Sequence, residues 1–155
     1  MYILEPYVSK RLSTAQFKQV VRCALRAAEM VVPIWRKDKR VPKTFKPFAH
    51  EGVQAIKNWL ASSSTVTVKH WHGILASTDF AIDIITPIKE ILLAILSRAD
   101  FQINNKLPGT WNPIEWAIND ALYIVHMYNR QKLKTVYNIW KNKCGKFLDE
   151  PVEIE

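Results

Sequence analysis

The side chains able to do chemistry in this chain are few and widely spaced. His70 and His72 flank Trp71. Residues two apart share a face on a strand and diverge on a helix, so these histidines would converge on a metal only in an extended segment. No HxxxH, HExxH or CxxC pattern accompanies them, and no metal site is expected. His50 and His126 are single histidines in helical segments, read as hydrogen-bonding residues of the fold and not as general bases. Asp79 and Asp83 stand one helical turn apart, with Glu90 two turns further on. Paired carboxylates can act as general acid and base, but no activated nucleophile accompanies these. They read instead as an acidic face turned to solvent or to a basic neighbour such as the 36–46 loop. Cys23 and Cys144 lie at opposite ends of the chain without a metal-ligand companion. They are read as reduced thiols, Cys23 as a small buried hydrophobe. Only four glycines are present, Gly52, Gly73, Gly109 and Gly145, each isolated. Phosphate-binding loops, dinucleotide-binding turns and nucleophile elbows are thereby excluded. No catalytic residue and no cofactor is expected.

Charge carries the functional signal. The chain holds 22 Lys and Arg against 14 Asp and Glu, a net charge of +8. Arg36, Lys37, Lys39, Arg40, Lys43 and Lys46 crowd a segment with two prolines and a single acid, Asp38. A second patch comprises Arg130, Lys132, Lys134, Lys141 and Lys143, continuing to Lys146 with no acidic residue between. Either patch could hold an acidic protein surface or nucleic-acid phosphate. The glycine turn of a helix-turn-helix, a zinc finger and an RNA-binding aromatic signature are all lacking, which disfavours nucleic acid. Of six tryptophans, Trp59 and Trp116 fall on apolar helical faces and read as core. Trp35, Trp111 and Trp140 sit at loop junctions or among lysines and are the candidates for interface anchors, with core the favoured reading for each taken singly.

The elements that must carry these residues read as helices. Ser13 and Gln16 form a capping box ahead of Phe17, Val20, Val21, Ala24, Leu25, Ala28 and Val32, predicting a helix over about 14–35, with Pro33 as a kink or end. Its other face carries Lys18, Arg22 and Arg26. Phe48, Val53, Ile56, Trp59 and Leu60 predict a helix over about 48–61. Val66, Val68 and His70 alternate as in a strand, but Trp71, Leu75, Thr78, Ile82 and Ile85 hold helical spacing. A helix over about 65–85 is favoured, since a lone strand has no partner. Thr86–Pro87 reads as a new helix start before Ile88, Ile91, Leu92, Ile95 and Leu96. Asn112, Pro113 and Glu115 open the last helix, about 113–144; its length of about 45 Å calls for a kink near 129–132.

These segments predict an all-α, single-domain bundle of about five helices over 1–148, with an acidic C-terminal tail at 149–155. The length of 155 residues and 48% hydrophobic content fit one domain with its own core. The most apolar stretch, 80–99, is interrupted by Asp83, Pro87, Lys89 and Glu90, so no membrane span is expected. The N-terminal residues lack a basic and then long apolar run, so the expected location is the cytoplasm.

Cys23-Ala24-Leu25-Arg26-Ala27-Ala28-Glu29, leading to Val32-Pro33-Ile34-Trp35, is followed by a charged loop and then by Ala49, Glu51, Ala55, Ile56 and Trp59-Leu60. This pattern resembles the immunity-protein family of bacterial polymorphic-toxin systems, small all-helical proteins also found in phage neighbourhoods. Lys46-Pro47 stands where the family has Arg-Pro, and the second half, rich in Trp and Lys, departs from it. The resemblance implies a stoichiometric binder that neutralises another protein, without catalysis. The expectation is therefore a protein-binding module from a bacterium or phage that docks an acidic partner through the 36–46 loop and Trp35. The alternative is a nucleic-acid-associated helical module, a complex subunit or virion component, binding backbone phosphate.

Overall fold

The computed structural model describes residues 17–104 and 111–144, and within them the chain is all helical, with six α-helices and no strand. Helix α1 (Phe17–Lys37) buries Val20, Val21, Ala24, Leu25, Ala28, Val31, Ile34 and Trp35, the three- and four-residue stripe of its sequence. Pro33 neither ends nor terminates it. The ring removes the bond to the Glu29 carbonyl, but buried Ile34 and Trp35 beyond it hold the last turn in the core. Arg36 and Lys37 therefore close α1 as its last-turn cations, favourable against the helix dipole.

A loop with a 3-10 turn at Lys43–Phe45 leads to α2 (Phe48–Ser62). Ser63 stops α2 in a left-handed conformation, φ 62°, its N–H donating to the Trp59 carbonyl at 2.7 Å. Gly52 on α2 is a close-approach position. A Cβ there would lie 2.8 Å from Ile88 Cγ2 and 3.0 Å from Leu75 Cδ1.

The expected 65–85 helix is two pieces. Helix α3 (Val66–Ala76) ends where the hydroxyls of Ser77 and Thr78 donate to the Gly73 and Ile74 carbonyls, satisfying acceptors that the next turn would have used. The chain turns through Ala81, φ 47°, and α4 (Ile82–Asn104) begins there and not at Thr86. Thr86–Pro87 lies inside α4. An internal proline costs about 3 kcal/mol. Ile84, Ile85 and Ile88 around it are fully buried, each contributing about 1.5–3 kcal/mol, so burial wins. The Thr86 hydroxyl donates instead to the Ile82 carbonyl at 2.6 Å.

The expected 113–144 helix also divides. Helix α5 (Trp111–Asn129) ends at Arg130, φ 53°, and α6 (Leu133–Cys144) follows. At this corner His126 Nδ1–H donates to the Gln131 carbonyl, which fixes its tautomer. Helix α1 sits centrally, packed against α2, α4, α5 and α6, while α5 also packs along α4. An aromatic run of Trp35, Phe80, Phe45, Phe48 and Trp71, with centroid separations of 4.7–6.0 Å, ties the loop to α3. Among the described residues no helix is long and apolar enough to cross a membrane. The acidic 149–155 tail lies outside the described residues.

Candidate functional site

The basic loop is fixed by its own acid. The Asp38 carboxylate accepts from the Arg40 backbone N–H at 2.8 Å and from its guanidinium at 3.0 and 3.1 Å. Arg40 reaches further, donating to the Tyr128 hydroxyl at 2.7 Å and pairing with Asp83 at 3.2 Å. Tyr128 in turn donates to Asp83 at 2.6 Å. One guanidinium thus clasps the loop to the start of α4 and the end of α5, the planar fork making several directed bonds that a lysine could not. The hydrogen bond from Arg40 holds Asp38 below the usual carboxylate range. Burial pushes Asp83 up, but the hydrogen bonds from Tyr128 and Arg40 outweigh it and hold that carboxyl low as well. Arg40 is raised, first by Asp38 and then by Asp83. Lys46 donates to the Asp38 carbonyl at 2.6 Å, and the Trp35 indole N–H donates to the Phe45 carbonyl at 3.1 Å. Asp83 therefore faces the basic loop, as its sequence position allowed, whereas Asp79 sits in the turn before α4 and shares no helix with it.

The expected partner-binding residues divide into two roles. Arg40 and Lys46 are committed to holding the loop. Arg36, Lys37, Lys39 and Lys43 are exposed and make no ion pair with any described residue. Trp35 corrects the expectation of an interface anchor: it is 0% exposed, its ring packed on Phe80 and its N–H satisfied inside the chain, so it touches no partner. Trp140 is also core, fully buried with its N–H donating 2.8 Å to the Cys23 carbonyl. Trp116, expected in the core, is 54% exposed. The Trp111 side chain lies outside the described residues.

The second basic patch begins beside the first and runs along α6. Lys37, Lys39 and Arg40 line an open cleft of about 570 Å³ with Met30, Pro33, Tyr128 and Asn129. The chain passes from Asn129 directly into Arg130, so Arg130 and Lys132 extend the first patch at the same end of the bundle. Lys134, one residue into α6, is exposed. Lys141 and Lys143 lie further along α6, toward Cys144, which neighbours Cys23 and Arg26 on α1.

Two further groups of residues singled out in the sequence take these positions. The Cys144 thiol hydrogen-bonds Cys23, which together with burial pushes it up and leaves a weak nucleophile. His70 and His72, two apart on α3, point to different faces, and no cluster of metal-ligating side chains exists among the described residues. One pairing went unread in the sequence. Glu90 on α4 hydrogen-bonds Asp120 on α5, and burial, then that bond and the charge of Asp120, raise Glu90 above the usual carboxyl range. Asp120 interrupts an otherwise apolar stripe on α5, the only sequence signal for it. No protein-family model matches the chain, and no curated protein or solved structure is similar to it.

Proposed function

We propose that this chain is a non-catalytic binding module of the immunity or inhibitor kind, from a bacterium or phage and acting in the cytoplasm, that docks an acidic surface of another protein. The observation that supports the reading is the contrast within the loop: Arg40 and Lys46 are spent on bracing it, while Arg36, Lys37, Lys39 and Lys43 are exposed and make no ion pair with any described residue. A loop already fixed in place loses little conformational entropy when it binds, and its cations steer an acidic partner into register. Arg130 and Lys132, next in chain after the cleft, widen the same positive end. The resemblance of residues 23–60 to immunity proteins is consistent with a stoichiometric partner.

The test is reversal of Arg36, Lys37, Lys39 and Lys43 to Glu, none of which carries the fold. A partner captured by the wild type and purified should form a defined complex whose association slows roughly tenfold or more with the reversed protein and whose rate falls with salt. An unchanged complex would remove the basic end from the interface. Retention of DNA or RNA irrespective of sequence, with affinity falling log-linearly with salt, would assign the same residues to phosphate instead.

A further inference from the structure

The exposed large hydrophobic side chains are not scattered. Among the described residues, apart from Val66, they all lie on α4 and α5: Ile82, Leu93, Trp116, Met127 and Tyr128. Spacing places them on one seam. Ile82, Thr86, Glu90 and Leu93 recur every three or four residues along α4, and Trp116, Asp120, Tyr123 and Met127 do so along α5. Asp83 meets Tyr128, and seven residues on Glu90 meets Asp120, so the helices run antiparallel and the next turn sets Leu93 opposite Trp116. Between them is an open groove of about 560 Å³ lined by Asp83, Thr86, Asp120, Tyr123, Ile124 and Met127.

At the Asp120 end of this groove lies a carboxyl pair. Glu90 spends its bond on Asp120, leaving Oε1 buried without a hydrogen-bond partner, while Asp120 stands exposed beside it. Met127 at 67% and Trp116 at 54% exposure flank it on α5. Apolar walls with a carboxyl pair at the centre are the complement of a helix carrying apolar side chains one turn apart and a cation among them.

We propose that the seam between α4 and α5 docks a cationic amphipathic helix of a partner protein, with apolar side chains against Leu93, Trp116 and Met127 and a lysine or arginine beside Asp120 and Glu90. A second copy of this chain is the poorer occupant. Symmetric pairing about the seam's centre would set the exposed Asp120 carboxylate against its own counterpart. A cation pairs with the exposed Asp120 carboxylate, to which Glu90 is hydrogen-bonded. The surface is separate from the basic end: it takes the opposite charge and uses none of Arg36, Lys37, Lys39 or Lys43.

The experiment is panning a phage-displayed library of helical peptides on the full-length protein, with counter-selection on Trp116→Ala and Asp120→Lys, both checked for unchanged melting. Enriched peptides should carry apolar residues at i, i+4 and i+7 and a Lys or Arg on the same face. Their affinity should fall roughly tenfold with either substitution and hold when the four basic residues of the other end are reversed. Failure to enrich peptides that either substitution weakens would overturn the proposal, as would enriched peptides lacking the cation. Sedimentation showing a dimer that Met127→Glu dissociates would overturn it in favour of a second copy. None of these outcomes depends on the basic end, so the two readings fail separately.

Discussion

The two ends of the Tyr128 ring look onto surfaces built on opposite plans. On the side of the 38–46 loop, the acids Asp38 and Asp83 are consumed by Arg40, and the cations left over project outward. In the α4/α5 seam the balance is reversed. The carboxyls Glu90 and Asp120 have only each other, and apolar side chains stand exposed around them. The first surface is rigid because its polar groups are paired within the chain. The second is unfinished because an exposed carboxylate, Asp120, stands there among exposed apolar side chains that nothing described in the chain covers. Pairing inside the chain makes a platform, and its absence makes a receptor.

The largest expected effect tests the platform. Trp35→Ala removes a fully buried indole, its bond to the Phe45 carbonyl and its contact with Phe80. A loss of about 3–5 kcal/mol is expected, read by chemical denaturation. A loss near that of a surface substitution would mean that the loop is not seated on the core, and the distinction between the two surfaces would go with it. Next comes Gly52→Ala. The added Cβ meets Ile88 Cγ2 at 2.8 Å and should cost about 1–3 kcal/mol by overpacking. Ile88 lies on the core side of α4, so the same variant should leave peptide binding in the seam unchanged once the protein is folded.

Glu90→Gln tests the receptor. Burial first, then the hydrogen bond and charge of Asp120, raise the folded pKa of Glu90, with Lys89 opposing. Between the ordinary carboxyl range and that raised value the folded chain holds a proton that the unfolded chain has released. Stability therefore falls as pH rises through this window. Gln keeps the uncharged form at every pH, so the variant should flatten the slope and gain about 1 kcal/mol on the mildly alkaline side, after allowing for solvent screening of a half-exposed group. Denaturation midpoints across pH measure it. An unaltered slope would mean that Glu90 is ionised in the folded chain across this range and does not share a proton with Asp120.

What could be read beforehand follows the range of the forces. The apolar stripes of α1 and α2 were legible because their spacing is local and burial follows it. Helix α4 defied the local signal: Thr86–Pro87 reads as a start, and only the burial of Ile84, Ile85 and Ile88 on both sides of it makes it an interior. Trp35, placed at the interface, and the partner of Trp140 escaped the sequence for a related reason. The N–H of Trp140 finds the Cys23 carbonyl 117 residues away, a partner no window around Trp140 contains, and composition near Trp35 announces a charged loop while its ring packs beneath it. Trp116 erred the other way, since helical spacing marks a face without saying whether anything in the chain covers it. The basic cluster itself was plain in the sequence, but the split between bracing and free cations depends on Asp83 and Tyr128, 43 and 88 residues from Arg40.

The smallest effect is the most discriminating, because Tyr128 belongs to both surfaces by different atoms. Its ring lines the seam, and its hydroxyl accepts from Arg40 and donates to Asp83. Tyr128→Phe keeps the ring and deletes the hydroxyl, leaving Arg40 and Asp83 to pair directly at 3.2 Å. In so exposed a cluster the stability loss should be about 0.5–1 kcal/mol. Asp83 has a depressed pKa, so its contribution is present above the ordinary carboxyl value and lost as pH falls through the folded one. Without the tyrosine hydroxyl its titration, followed by carboxyl carbon NMR, should move up toward the ordinary value. Hydrogen exchange in the 38–46 loop should quicken while binding of a cationic peptide in the seam stays as it was. If peptide binding fell in parallel with loop protection, the clasp would be holding the seam open too, and the two surfaces would be one device with Arg40 at its hinge.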